Sequence, residues 1–337
     1  MTAAATVHVV VPRGIDDPNR PSGGNTYDRR VCDQLSRIGW DVRLHAVAPD
    51  GLAPALAGLP DGALVLIDGL LGRDAGFASH AHRLRLALLV HMAPAADDET
   101  LSAARAVITT SAWMRRQLLE LFPLPPDRVH VAEPGVDAAY LAPGTADGGR
   151  LLCVAAVAPL KGHDVLVAAL TEVADRSWRC TCVGSLEVDA DFVARLRAQA
   201  GAGGLADRVD FAGPLTGPAL DLAYVSADVL VLASTSESYG MVVTEALARG
   251  MPVIASAVGG VPDALGWTQA GGRPGLLLPP GDPLALSEAL RRWLDDVELR
   301  ASLRSAALER RRTLKGWEST GYSVAAVLDE LKNQRVG

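Results

Sequence analysis

The sequence predicts an α/β protein made of two doubly wound, mostly parallel sheets. Short apolar segments of strand length alternate with segments of helical periodicity along most of the chain. This alternation is typical of parallel sheets that are covered by helices on both faces. The chain has 337 residues, enough for two domains with a core each. Residues 136–149 are rich in Ala, Gly and Pro without periodicity, which predicts a linker between the two halves.

Composition and charge narrow the functional classes. With 49% hydrophobic and 21% charged residues, the chain has the profile of a folded globular protein. A formal net charge of −7 argues against a nucleic-acid-binding protein, which usually carries a basic surface. No apolar run reaches the roughly 18 residues of a membrane span, and the N-terminus lacks a signal-type segment. We therefore expect a cytoplasmic protein, with peripheral membrane contact and the oligomeric state left open.

The four cysteines are predicted to be structural. Cys180 and Cys182 fall on the same side of a predicted strand, because side chains alternate along strands, while Cys32 and Cys153 stand apart. No second Cys/His pair has the spacing of a zinc site, so we predict buried thiols and no metal.

The first half predicts a sheet that begins with a βαβ unit. Gly23 and Gly24 precede the first helix and allow the backbone to approach a ligand closely, although they do not form a G-x-G-x-x-G motif. Gly39 ends this helix, and Ser111 is the N-cap candidate of a second one. The predicted strands are 7–11, 41–47, 63–67, 85–90, 106–109 and 128–132, and the predicted helices are 26–38 and 111–121.

The second half repeats the alternation and ends in helices. A second doubly wound domain follows from its pattern. The predicted strands are 151–157, 178–183, 208–211, 228–233, 252–256 and 275–278, and the predicted helices are 164–174, 191–200, 217–225, 241–249, 283–294, 297–312 and 317–331.

One stretch of the second half points to a ligand. Strand 228–233 runs through a polar turn into helix 241–249, with Glu237 and Glu245 on either side of the helix start. Ligands of open α/β sheets bind beyond the carboxyl ends of the strands, and the first turn of a helix offers free N–H groups and a positive dipole end to phosphate. The two carboxylates are therefore predicted to flank a phosphate-bearing ligand.

An ordered set of motifs resembles the retaining glycosyltransferases of family 4, which have the GT-B fold of two facing Rossmann-like domains with a cleft between them. The resemblance spans nearly the whole chain and is strongest over 151–282. Its segments are K161-GHD, C182-VG, V209-DFAG, S226-ADV, E237-SYGMVVTEALARG, P252-VIAS, G259-G and G275-LLLPPGD. The resemblance implies a first domain, 1–135, to which a C-terminal helix at about 316–333 returns, and a donor domain, 150–315. Trp317, in that helix, is interpreted as core packing.

The resemblance also implies roles for residues of the donor domain. Glu237 would contact the hydroxyls of the donor sugar, and Glu245 would accept from the ribose hydroxyls, as a carboxylate can from two donors at once. Lys161 would pair with the phosphates. The donor-binding set is completed by the backbone of Tyr239, Gly240, Met241 and Val242 at the diphosphate or sugar, by Gly184, and by Leu215, whose backbone would contact the base.

In the first domain, the resemblance implies that Gly23 and Gly24 form a loop near the diphosphate and the acceptor. His91, which ends a predicted strand, would lie beside the reacting sugar as a hydrogen-bond donor or proton carrier. Asp68 ends a neighbouring strand at the same sheet edge. His163 is predicted only to cap the helix that follows Lys161. The acceptor would dock on loops 14–25, 69–82 and 92–100, which carry no interpretable motif.

The implied reaction is the metal-independent, retaining transfer of a sugar from a nucleotide-sugar to an unknown acceptor, without a cofactor. A UDP-sugar is favoured, with a GDP-sugar as the alternative. One departure stands out, because the family usually has an Arg about five positions before the lysine, where this chain has Ala156. Two other functions stay open. One is a nucleotide-sugar-binding pseudo-enzyme subunit that needs a partner, and the other is a GT-B-fold epimerase or phosphorylase.

Overall fold

The computed structural model describes residues 4–48, 50–71, 76–92 and 100–334. The chain forms two compact units. The first comprises residues 1–16, 23–135 and 315–337, and the second comprises residues 17–22 and 136–314. Each unit contains a six-stranded sheet whose paired strands are all parallel, as the alternating pattern predicts.

The sheet of the first unit has the strand order β2-β1-β3-β4-β5-β6. Its central strands β3 and β4 are apolar at nearly every position, because both of their faces are covered by helices. The strands are β1 (Thr6–Pro12), β2 (Asp41–Val47), β3 (Leu64–Asp68), β4 (Arg85–Val90), β5 (Ala106–Thr109) and β6 (Val129–Val131), and the helices are α1 (Gly23–Arg37), α2 (Leu52–Ala57), α3 (Gly76–His80), α4 (Thr100–Ala103) and α5 (Ala112–Leu121).

The sheet of the second unit has the order β12-β11-β10-β7-β8-β9. Its strands are β7 (Arg150–Val154), β8 (Arg179–Val183), β9 (Val209–Gly213), β10 (Val229–Leu232), β11 (Val253–Ser256) and β12 (Gly275–Leu278). The helices are α6 (His163–Glu172), α7 (Ala190–Ala202), α8 (Gly217–Val225), α9 (Met241–Ala248), α10 (Val261–Leu265), α11 (Pro283–Asp295) and α12 (Val297–Arg311).

The last helix, α13 (Trp317–Asn333), belongs to the first unit and packs against α1. Trp317 is 5% exposed, and its ring meets that of Tyr27 edge-on at a centroid distance of 5.9 Å. The Thr320 hydroxyl donates to the carbonyl of Glu133 at 2.7 Å. The return of the chain to its first half is confirmed, and Trp317 is part of the core there.

Most predicted elements are present within one to three residues of their predicted ends, and Ser111 caps α5 by accepting from the Met114 N–H at 3.0 Å. The short helices α2, α3, α4 and α10 were not predicted, because four to six residues are too few to show a helical period. Helix α3 lies in predicted loop 69–82. Residues 72–75 of that loop and residues 93–99 of predicted loop 92–100 fall outside the described residues.

The segment 136–149 has no helix or strand, as predicted, but it is anchored to the second unit. The Asp228 carboxylate accepts from the Thr145 hydroxyl at 2.7 Å and from the Arg150 N–H at 2.8 Å. Across the part of the chain that the structure describes, no helix combines the length and the apolar character that a membrane crossing requires.

Candidate functional site

The strand order of the second sheet marks a ligand position. Successive strands are added outward in opposite directions from β7 and β10, which pair with each other. Ligands of doubly wound sheets bind at the carboxyl ends of the two strands where the order reverses. The loops that follow β7 and β10 meet there, since the Thr235 N–H donates to the carbonyl of Leu160 at 2.9 Å. A Cβ on Gly162 would lie 2.0 Å from the Ala233 carbonyl oxygen, so only glycine permits this approach.

At this point the structure brings two predicted site residues together. The Lys161 ammonium donates to Oε1 of Glu237 at 2.7 Å, and the Ser234 hydroxyl donates to the same oxygen at 2.8 Å. The side chains of Lys161 and Glu237 are 30% and 12% exposed. The sequence predicted both residues as ligand contacts, but it did not predict that they pair with each other.

Gly259 and Gly260 contact the backbone of the loop that carries Glu237. The Gly260 N–H donates to the Glu237 carbonyl at 3.2 Å. Gly259 has a φ of +55°, and a Cβ there would lie 1.6 Å from the same oxygen. The paired glycines of the family motif therefore have a steric role in placing this carboxylate.

The first turn of α9 follows this loop directly. Gly240 is its N-cap, with a φ of +89°, and Tyr239 before it is buried. Met241 and Val242 open the helix and are half-buried. The first N–H groups of a helix have no partner within the helix and carry the positive end of its dipole. The predicted phosphate-binding turn is thus adjacent to the Lys161–Glu237 pair.

Glu245, one turn further into α9, belongs to a network that the sequence did not predict. The hydroxyl of Tyr224, a fully buried residue of α8, donates to Glu245 Oε2 at 2.7 Å. The Arg249 guanidinium lies over the Tyr224 ring at 4.4 Å and pairs with Asp221. Burial raises the pKa of the Glu245 carboxyl, while the Tyr224 hydrogen bond and the charge of Arg249 oppose that rise. In the sequence, the i to i+4 spacing of Glu245 and Arg249 is the feature that could have indicated part of this network.

The remaining predicted donor residues lie around the same sheet edge. Gly184 directly follows β8 and lies against Ala155. A Cβ on Gly184 would be 2.0 Å from the Ala155 carbonyl oxygen. Leu215 follows β9 and packs on the core cluster that also contains Tyr239. Ala156, at the family's arginine position, is half-buried beside Gly184. The donor-binding roles of these residues stay predictions.

In the first unit the structure assembles a second group of predicted residues. Helix α1 begins at Gly23, so both glycines lie in its first turn rather than before it, as the first helical positions tolerate glycine. A Cβ on Gly24 would lie 3.4 Å from the His91 ring. His91 Nε2 and Asp28 Oδ1 form a hydrogen bond of 2.7 Å, and Asp68 is also buried close by. Asp28 was missed because its spacing on α1 is that of an ordinary helix residue.

Burial and charge shift the titration of this second group. Burial lowers the pKa of His91, but the negative charge and hydrogen bond of Asp28, with the charge of Asp68, outweigh it, and the pKa is raised. Burial and then repulsion by Asp28 raise the pKa of Asp68 to about 7. At neutral pH, His91 and Asp68 together therefore hold more protons than the same two side chains do in water.

The prediction for His163 was wrong. This residue begins α6, but Gly162 is the N-cap and no side chain caps the helix. His163 is instead fully buried, with Nε2 3.7 Å from the sulfur of Cys153. Cys153, His163 and Cys182 bring their donor atoms within 4.8 Å of one another. The hydrogen bond with Cys182 and burial raise the pKa of the Cys153 thiol well above its ordinary value, so this thiol is a neutral part of the core.

Comparisons with known proteins agree with the arrangement of the motifs. Residues 145–310 match the family model "Glycosyl transferases group 1", and residues 61–140 match "Glycosyltransferase Family 4". The chain belongs to the family 4 glycosyltransferases.

Two curated relatives are D-inositol 3-phosphate glycosyltransferases. The protein of Thermomonospora curvata is 35% identical over 251 residues, which cover 66% of this chain and 56% of the relative. The protein of Acidothermus cellulolyticus is 33% identical over 260 residues, covering 71% and 56%. The chain thus spans little more than half the length of the curated relatives that it matches.

Solved structures share the fold over nearly the whole chain. A sucrose-phosphate synthase from Thermosynechococcus elongatus superimposes with a TM-score of 0.80 at 22% identity, covering 97% of this chain and 99% of that one. The Anabaena protein Alr3699/HepE, solved with UDP-glucose, gives 0.77 at 18% identity, with 96% and 99% covered. At these identities the likeness establishes the fold.

Proposed function

We propose that this chain is a retaining, metal-independent glycosyltransferase that uses a nucleotide-activated sugar. The observation that carries the proposal is the Lys161–Glu237 pair, which lies at the reversal point of the second sheet, directly before the first turn of α9. One position thus combines a cation, a carboxylate and unpaired backbone N–H groups. A nucleotide-sugar presents a diphosphate, a sugar and a ribose, and it needs these three kinds of contact.

Each part of the donor has a partner in this arrangement. The diphosphate binds at the N–H groups of Met241 and Val242 and to the Lys161 ammonium, which together neutralise the leaving group. Oε1 of Glu237 already accepts from Lys161 and Ser234, so Oε2 accepts from the sugar hydroxyls. Glu245, oriented by Tyr224 at Oε2, accepts from the ribose through Oε1.

The positions of the carboxylates favour transfer without a covalent intermediate. In a glycosidase, two carboxylates flank the bond that is cleaved. Here Glu237 is held by a lysine, while Glu245 lies a helical turn away in a network with a tyrosine. The two therefore serve opposite ends of the donor, and the leaving phosphate takes the acceptor proton in front-face attack. His91 acts as a hydrogen-bond donor or proton carrier during transfer.

The comparisons support a UDP-sugar as the first donor to test and suggest an acceptor. The Anabaena protein was solved with UDP-glucose, and the curated relatives are named for D-inositol 3-phosphate. A sugar, another small molecule or a lipid-linked acceptor remains an alternative, and a GDP-sugar is the second donor to test.

The proposal is tested by calorimetric titration with UDP- and GDP-sugars, with and without EDTA. We expect one donor to bind at micromolar concentration, Glu245→Gln to weaken binding about tenfold or more, and EDTA to change nothing. Glu172→Gln, an exposed glutamate of the same unit, is the matched control. Product anomeric configuration, measured by NMR, tests retention. Failure of every donor to bind contradicts the proposal, and an EDTA-sensitive activity contradicts metal independence.

The second candidate function is a nucleotide-sugar-binding subunit that does not catalyse transfer by itself. Ala156 favours this function. With alanine at the family's arginine position, Lys161 is the cation that matches the family motif, and its charge is already shared with Glu237. The variant Ala156→Arg separates the two. If the chain is an enzyme, turnover is measurable in the natural protein and rises in the variant. Donor binding without turnover, converted to turnover by Ala156→Arg, identifies the binding subunit.

A further inference from the structure

Three ionisable side chains from separate elements converge inside the first unit. Asp28 lies on α1, Asp68 ends β3 and His91 follows β4. They are 2%, 2% and 8% exposed, and one ligand atom from each lies within 4.8 Å of the others. Of the three, the proposed function uses His91 alone. Buried charges are costly unless they are paired, so the two carboxyl groups need an explanation.

Within the part of the chain that the structure describes, one oxygen of each of the two carboxyl groups is hydrogen-bonded and the other is not. Asp28 Oδ1 is bonded to His91 Nε2 at 2.7 Å, and Asp68 Oδ1 accepts from the Leu70 N–H at 2.8 Å. Oδ2 of Asp28 and Oδ2 of Asp68 are both buried without a partner among the described residues. Two buried carboxylates repel each other when both are ionised. Ligand atoms of the two carboxyl groups lie within 4.8 Å of each other, so one proton held between the groups removes one negative charge and can serve the unpaired oxygens.

The surroundings indicate where this proton resides. Burial and the neighbouring charge of Asp28 raise the pKa of Asp68 to about 7, which places the proton on Asp68. Tyr27 and Cys32, on the same helix, also interact electrostatically with Asp28. Burial raises the pKa of Tyr27 well above its ordinary value and that of Cys32 to about 12, so both stay neutral. Trp317, which α13 packs against Tyr27, does not titrate.

A divalent cation is the other occupant that two carboxylates and a histidine can accept. Such a cation, with bonds of about 2.1 Å, places neighbouring ligand atoms about 3 Å apart. The separation of 2.7 Å between His91 Nε2 and Asp28 Oδ1 is instead that of a charge-assisted hydrogen bond. The geometry therefore favours a proton over a metal.

We propose that Asp68, Asp28 and His91 form a buried proton-sharing triad in which Asp68 donates its proton to Asp28 and Asp28 holds His91 through Nε2. The triad fixes His91 in the form with a proton on Nε2 and keeps the ring against Gly24 of the glycine pair. Asp28 and Asp68 are positioning residues that act through His91. Their effect on transfer rests on the proposed function, whereas the shared proton is a property of the protein alone.

The two aspartates make opposite predictions when each is changed to asparagine. The side-chain amide introduced by Asp68→Asn can accept from Leu70 and donate to Asp28, as a protonated Asp68 does, so this variant retains the hydrogen bonds of the triad. Asp28→Asn removes the charge that His91 faces. Asp33→Asn, an exposed position on the same helix, is the matched control. Infrared spectroscopy of the carboxylic acid band and NMR titration of the His91 imidazole are the two measurements.

We expect the natural protein at about pH 6 to show a buried carboxylic acid band that Asp68→Asn abolishes and Asp33→Asn retains. Asp28→Asn should lower the pKa of His91 by about one unit or more, and Asp33→Asn should leave it unchanged. Absence of the band from the natural protein overturns the proposal whether or not the variants fold, and so does its persistence in Asp68→Asn. Selective broadening of the His91 signals by micromolar Mn²⁺ also overturns it, in favour of a cation site.

The same variants separate this inference from the proposed function. In a donor titration of the natural protein, loss of the proposed function appears as no binding while the carboxylic acid band persists. Loss of the triad appears as an absent band while the donor still binds. If both proposals hold, Asp68→Asn flattens the pH profile of transfer around about pH 7, and Asp28→Asn lowers turnover with little change in donor affinity.

Discussion

Replacing Tyr224 with phenylalanine tests whether Glu245 binds the nucleotide as a carboxylate. The hydroxyl of this fully buried tyrosine donates to Glu245 Oε2 at 2.7 Å. A phenyl ring fills the same space and still lies under the Arg249 guanidinium, which is 4.4 Å from the ring centre. The substitution therefore removes one hydrogen bond from a carboxylate and leaves the packing around it in place.

The expected magnitude follows from that hydrogen bond. A hydrogen bond to a charged group contributes about 1.5–3 kcal/mol, and about 1.4 kcal/mol corresponds to one pKa unit. Burial already raises the pKa of Glu245, and the Tyr224 hydroxyl opposes that rise. Tyr224→Phe should therefore raise the pKa by about one to two further units. Because only the ionised form accepts two ribose hydroxyls, nucleotide affinity should fall about tenfold at low pH and recover as the pH rises.

The assay is calorimetric titration with UDP at a lower and a higher pH value, about pH 6 and about pH 9. Tyr140→Phe, at a tyrosine of the same unit that is 90% exposed, should bind like the natural protein at both values. Unchanged affinity in Tyr224→Phe would refute the assignment of Glu245 to the ribose. An equal loss at both pH values would show that Tyr224 acts by packing and that the charge of Glu245 is not the cause.

Three further predictions concern stability and turnover. Gly259→Ala should destabilise the protein in urea far more than Gly281→Ala. Both glycines have a positive φ, but a Cβ at Gly259 would lie 1.6 Å from a carbonyl oxygen, whereas one at Gly281 would meet nothing within 4 Å. Equal losses of stability would show that φ alone matters. Asp68 has a pKa raised from 3.8 to about 7. Its contribution to stability is therefore fully present below about pH 4 and is lost as the pH rises through about 7. Relative to the natural protein, Asp68→Asn should gain up to about 4 kcal/mol of unfolding free energy between about pH 4 and about pH 8. A pH-independent difference between the two proteins would contradict the raised pKa. Lys161→Met should cost about 1 kcal/mol or less of stability, because the ammonium is partly exposed, yet lower turnover about a hundredfold; a rate close to that of the natural protein would exclude Lys161 from leaving-group stabilisation.

The fold could be predicted from the sequence because its signals are local. An apolar run such as Val253–Ser256 forms a buried strand wherever it lies between helices, and Ser111 caps a helix through a contact three residues away. Helices of four to six residues, such as α4 and α10, were missed because they contain about one turn. His163 was assigned the wrong role since its position beside Lys161 suggested a cap, whereas the fold turns its ring into the core.

The candidate site was predictable only as a set of separate residues. The motif around Glu237 and Glu245 and the isolated Lys161 could be identified by their types and order. Tyr224 could not, because it is 21 residues from Glu245 and only the packing of α8 against the sheet brings its hydroxyl within 2.7 Å. Asp28 is 63 residues from His91, and nothing in the spacing of α1 distinguishes it from the exposed Asp33.

By itself, the sequence determined the class of the fold, the order of its strands and helices, and the family, because each depends on patterns a few residues long. The tertiary structure alone decided which charges meet: Lys161 with Glu237, Tyr224 with Glu245, and Asp28 with Asp68 and His91. The protonation of a side chain depends on burial and on charges within a few ångströms. Those distances are set by the packing of helices and strand ends that are far apart in the chain.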